Sequence, residues 1–118
     1  MNNTIRKIYT SCEISKSDAR RFHLKTVKDI VDWVLAEDTC PKLGTPYPID
    51  EVGKAEGDFP DSASVDTFSN NGVRFLEIGF TCLEKYTSDE DGFLVGSDYD
   101  EIADFSEEQI QTINEFLN

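Results

Sequence analysis

Past Lys85 the chain contains no lysine, arginine or histidine. Histidine occurs once in the whole sequence, at His23. A serine or cysteine nucleophile needs a neighbouring base, and nothing around His23 marks such a site. There are three cysteines, Cys12, Cys40 and Cys82, with no CxxC and no HxxxH spacing. That pattern excludes a conventional zinc site and a disulfide framework. Cys12 and Cys82 fall on strand-like faces and read as small core residues, whereas Cys40, before Pro41, reads as exposed. The start, MNNTIRKIYTS, lacks the apolar run of roughly 7–15 residues that a secretory signal carries. No segment reaches the roughly 18 consecutive apolar residues of a membrane span. A cytoplasmic protein with reduced thiols is the expectation. No glycine-rich phosphate loop follows a strand, and carboxylate pairs of the glycosidase kind cannot be told from an acidic background. No enzyme activity, cofactor or metal is therefore expected.

What the chain does have is acid. Its 118 residues include 24 Asp and Glu against 11 Lys and Arg, for a net charge of −13 and a pI near 4.2. This argues against direct contact with nucleic acid or an anionic membrane, since both require a cationic face. It favours a cationic partner such as a basic protein, a metal ion or a polyamine. The charge is uneven: residues 1–28 carry seven bases and two acids, net +5, and residues 29–118 are net −18. Part of the basic segment is free to fold back onto acids. A hydrophobic share of 38%, with eight Phe, suffices for one ordinary core without metal or disulfide staples.

Periodicity places the elements. Thr4–Ile14 alternates, with Ile8, Thr10, Cys12 and Ile14 on one face, and predicts a first strand. A helical turn near Asp18–Arg21 is followed by an extended piece. Thr26, with Asp29 three residues on, caps a helix whose stripe is Val27, Ile30, Val31, Val34 and Leu35 and which ends near Glu37. Trp33 lies off this stripe, as a flank against a neighbouring loop. Residues 39–61 hold all four prolines and three glycines and read as a long loop. Asn71-Gly72 between strand-like runs is a hairpin signal. In the second of these runs Leu76, Ile78, Phe80 and Cys82 share one face while Val73, Phe75 and Leu83 share the other, which predicts a central strand. Phe93–Val95 reads as a short returning strand. Ser106 and Gln109 form a capping box for a final helix, with Phe105 and Ile110 as its staple and Ile110, Ile113, Phe116 and Leu117 as its buried stripe. The expected fold is a single α+β domain over residues 1–118. It has an antiparallel sheet of about four strands and two main helices packed on it.

Function is sought in Thr87–Glu108, a stretch with nine carboxylates and no base. A folded domain gains no stability from such a surface, because like charges repel. Thr87–Asp98 can be laid on a calcium-binding loop, but Thr87 and Asp98 stand where Asp and Glu belong, and a hairpin with an Asp-Gly turn accounts for the same residues. Carboxylates two apart on an extended strand lie roughly 6.6 Å apart, comparable to successive phosphates on one DNA strand. Asp89 with Asp91, and Asp98 with Asp100, have this spacing in sequence. Asp104 and Glu108 share a helix face only if the last helix starts before Ser106. Glu107 and Glu108 also suit a helix N-terminus on structural grounds alone.

In size, charge and α+β character the whole chain resembles the small acidic DNA-mimic proteins of bacteria and phages. Among these are monomeric ones that bind the histone-like protein HU. The resemblance is one of profile and carries no motif. It implies a monomer that competes with DNA for the groove of a basic, HU-like DNA-binding protein. The phosphate surrogates would be Asp89, Glu90, Asp91, Asp98, Asp100, Glu101, Asp104 and Glu108, with Asp58 and Asp61 from the loop. The net +5 of residues 1–28 departs from a uniformly acidic mimic and points to a one-sided face. Alternatives are a phage-type inhibitor of a restriction or CRISPR nuclease, and an immunity protein against a basic nuclease toxin. In the last case aromatics such as Trp33 or Tyr99 would matter more than charge spacing.

Overall fold

A computed structural model describes residues 2–100 and 105–118. It has an α+β fold with an antiparallel sheet of six strands and four α-helices among the described residues. In chain order these are β1 (Asn2–Ser15), α1 (Lys16–Arg21), α2 (Val27–Glu37), β2 (Lys42–Leu43), β3 (Tyr47–Pro48), α3 (Val52–Glu56), β4 (Ala63–Asn70), β5 (Val73–Ser88), β6 (Leu94–Asp100) and α4 (Glu107–Leu117). The sheet order is β2-β1-β5-β4, with β3 also paired to β1 and β6 to β5. β5 is thus the central strand that its two apolar faces require. No helix among the described residues is long and apolar enough to cross a membrane.

The chain divides into two compact units, and β1 and β5 each contribute to both. Among the described residues the first draws on 2–9, 41–62 and 81–100. Ile5, Ala55 and Leu83 are buried there against Tyr47 and Val52. Here the structure departs most from the sequence pattern. The span 39–61, expected to be a structureless loop, contains β2, β3, a 3-10 turn (Ile49–Glu51) and α3. The organiser is Lys7, only 4% exposed. Its Nζ donates to the carbonyls of Glu56 (2.9 Å) and Phe59 (2.6 Å) and pairs with Asp61 at 2.7 Å. A buried ammonium must be satisfied in this way, and satisfying it folds the segment around it. Gly44 adds a close approach: its N–H donates to the Lys7 carbonyl at 2.7 Å, and a Cβ there would lie 2.7 Å from the same oxygen.

The second unit draws on residues 10–40, 63–80 and 105–118. Its core includes Ile14, Ile30, Val34, Leu76, Ile78, Phe80, Ile113 and Phe116. Both expected capping boxes form, Thr26 with Asp29 and Ser106 with Gln109. In α4 the buried stripe narrows to Ile113 and Phe116, while Ile110 is 37% exposed. Asn71 and Gly72 both take positive φ (52° and 79°), as a tight hairpin turn requires. After α1 the chain does not extend as expected. His23 adopts φ 55°, and His23 N and Leu24 N donate to the carbonyls of Arg20 and Ala19, which closes the helix in a Schellman motif. Phe22, on this turn, meets Trp33 at 6.4 Å between ring centroids.

Candidate acidic interface

β6 pairs with the second half of β5 as an antiparallel ribbon of the sheet, with register from Leu83↔Asp100 to Ser88↔Leu94 and an irregularity at Thr87/Ser88. Asp89 closes it. Its carboxylate Oδ1 accepts from the N–H groups of Asp91 (3.0 Å) and Phe93 (2.9 Å), and Gly92 takes φ 85°. Asp89 is therefore engaged with its own turn rather than offered outward. The Asp89–Asp91 strand spacing anticipated from sequence is absent, because these residues turn. Glu90 and Asp91 are exposed at the tip. Asp98 is exposed on β6, where it accepts from Tyr99 N at 2.9 Å and lies directly across from Lys85. Asp100 is the last residue of β6, two beyond Asp98. Glu101 and Asp104 lie outside the described residues. Residues 94–98 are exposed on both faces of the strand, and Phe93, Leu94 and Val95 are 70%, 58% and 59% exposed.

The other anticipated acids divide. Asp58 accepts from Thr45 N (2.6 Å) and the Tyr47 hydroxyl (3.0 Å), and so shapes the 41–62 segment. Asp61 pairs with Lys7 yet remains 80% exposed. Glu108 is exposed in the first turn of α4, in the other unit. Part of the basic N-terminal segment is absorbed internally: the Arg6 guanidinium pairs with buried Glu84 at 2.6 Å and lies 4.8 Å from the Tyr86 ring. Tyr99 faces Glu84 across the ribbon, and burial followed by the Glu84 charge raises its phenol above the ordinary value. Burial pushes the Cys82 thiol up to about 12, which suits an inert core residue. Among the described residues no three His, Cys, Asp or Glu side chains converge as metal ligands.

One acidic pair was missed in the sequence. Asp66 on β4 and Glu77 on β5 are directly opposite each other, and both are exposed. Neither forms an ion pair with a described residue. Directly opposed like charges on neighbouring strands destabilise a sheet. Two positions along each strand, Phe68 and Phe75 are also opposite each other and stack at 5.2 Å between centroids. The signal was present: both pairs are symmetric about the Asn71-Gly72 turn, so the hairpin alone sets them across from one another. Comparison with family models, curated proteins and solved structures gives no match for this chain.

Proposed function

We propose that this chain is a non-enzymatic DNA mimic, whose exposed carboxylates occupy the DNA-binding groove of a basic, HU-like protein and exclude DNA from it. The Asp66–Glu77 pair carries this reading. Two acids directly opposed on paired strands, with Cβ atoms about 5 Å apart, carry a cost in the free protein that a cationic partner removes. Glu90, Asp91 and Asp98 form a second exposed set, on the β5–β6 ribbon.

The test is a competition titration with purified HU and labelled duplex DNA. Affinity for HU should fall at least ~tenfold between about 50 and about 200 mM salt, as for phosphate contacts. The pair Asp66→Asn/Glu77→Gln and the triple Glu90→Gln/Asp91→Asn/Asp98→Asn, made separately, should each weaken binding ~2–5-fold per charge at most, because rim charges contribute modestly and additively. Binding unchanged in both variants and insensitive to salt would sink the mimic.

Exposure of Phe93, Leu94 and Val95 supports a second reading, an immunity-like inhibitor seated on a nuclease by apolar packing. There Phe93→Ser alone should abolish binding, as loss of a hot spot does, while salt changes little.

A further inference from the structure

The second unit contains a cleft of about 530 Å³ that the acidic interface does not use. Its lining includes Lys16, Arg20 and Arg74, with Thr67, Phe116 and Glu115. Three cations thus meet at one concavity in a chain whose net charge is −13. Ion pairing within the fold does not account for the two arginines. Arg20 and Arg74 form no ion pair with a described residue. The one acidic side chain in the lining, Glu115, takes a hydrogen bond from the Gln111 side chain at 3.0 Å. Lys16 Nζ donates to the main-chain oxygens of Phe116 and Asn118 and sits 5.6 Å from the centre of the Phe116 ring.

The three cations also act on one another. Burial and then the charges of Arg20 and Arg74 lower the Lys16 amine below its ordinary value. Arg20, in the last turn of α1, suits the negative end of that short helix. Arg74 has no such explanation, since it is the second residue of β5, just past the hairpin turn.

We infer that this cleft binds a small molecule through a phosphate group, with Arg20 and Arg74 as the guanidinium donors and Lys16 behind them. A dianionic phosphate matches the planar fork of arginine, which can grip it bidentately. The cleft is of ordinary ligand size, and Phe116 with the Thr67 hydroxyl provides an apolar wall and a neutral donor beside the charges.

Inorganic pyrophosphate is the probe, titrated into the intact protein at constant ionic strength set with chloride and followed by calorimetry and amide NMR shifts. Saturable binding is expected, with shifts centred on Lys16, Arg20 and Arg74. Arg74→Gln and Arg20→Gln should each weaken it about tenfold or more, the loss of one charge-assisted hydrogen bond. Arg74→Gln should leave the free protein at least as stable to heat, because it relieves repulsion. Absence of saturable binding overturns the inference. So do shifts spread equally over exposed Lys25 and Lys28, or a pyrophosphate affinity unaltered by Arg74→Gln. These residues are separate from the acidic interface, so failure here leaves the mimic reading standing.

Discussion

At the scale of single residues the acids of this chain fall into two groups that composition cannot separate. Asp29, Asp38, Asp58 and Asp89 are consumed by backbone and side-chain donors, while Asp66, Glu77, Glu90 and Asp91 face outward. Asp38 shows what the first group does. Its carboxylate accepts from the Thr10 hydroxyl (2.8 Å), Ser11 N (3.1 Å) and Cys40 N (3.0 Å), and so joins β1 to the end of α2. Burial alone would raise this carboxyl, but the three hydrogen bonds together outweigh it and hold it below 3.8. The unfolded chain therefore takes up the proton first as pH falls. The stability that Asp38 contributes is present above about pH 4 and is lost as pH drops through the lower folded value. Asp38→Ala should cost about 1–2 kcal/mol in urea unfolding at pH 7, the lower part of the range for orphaned donors because water can reach this partly exposed site. The gap between the two proteins should close toward pH 3. A constant gap down to that pH would mean that the loss is one of packing.

At the scale of elements, what was legible in the sequence was what is locally determined. α2 and α4 announce themselves by capping boxes, and β4–β5 by Asn-Gly. The segment 41–62 was illegible because its two-residue strands have no period to read. Its structure depends on Lys7, about fifty positions away in sequence. The Schellman closure after α1 was hidden by a histidine at the position usually taken by glycine. Of the site, a count of carboxylates pointed to the β5–β6 ribbon but did not show that Asp89 closes its own turn, and it overlooked Asp66 and Glu77 because they are eleven residues apart. The cationic cleft was beyond reach, since only the packing of α1 and α4 with the β4–β5 hairpin gathers its charges. The element-scale test concerns the opposed acids. Glu77→Gln should stabilise the free protein by about 0.2–1 kcal/mol, the usual size of a relieved cross-strand repulsion. A protein that gains stability in chemical denaturation while losing affinity for its partner is behaving as a functional surface does. A loss of stability instead would place Glu77 in a structural contact and remove the pair from the interface.

At the scale of the whole molecule, two opposing electrostatic effects depend on salt. The ion pairs Arg6–Glu84 and Lys7–Asp61 are attractive, and each has one well-sheltered member, Glu84 in the first and Lys7 in the second, so screening reaches them less than it reaches exposed charges. The net charge of −13 is repulsive and largely on the surface, so screening reaches it well. The Debye length shortens from about 30 Å at 0.01 M to about 8 Å at 0.15 M, a span that covers most distances within a chain of this size. Repulsion should therefore be relieved faster than attraction is lost. The expected outcome is a melting temperature that rises with sodium chloride over this range and then levels off, while affinity for a basic partner falls over the same range. These opposite signs are the signature of an acidic surface left uncompensated inside the protein and compensated by the partner. A melting temperature that falls with salt would show the acids already neutralised within the fold. The charge on which the mimic reading depends would then be unavailable to any groove.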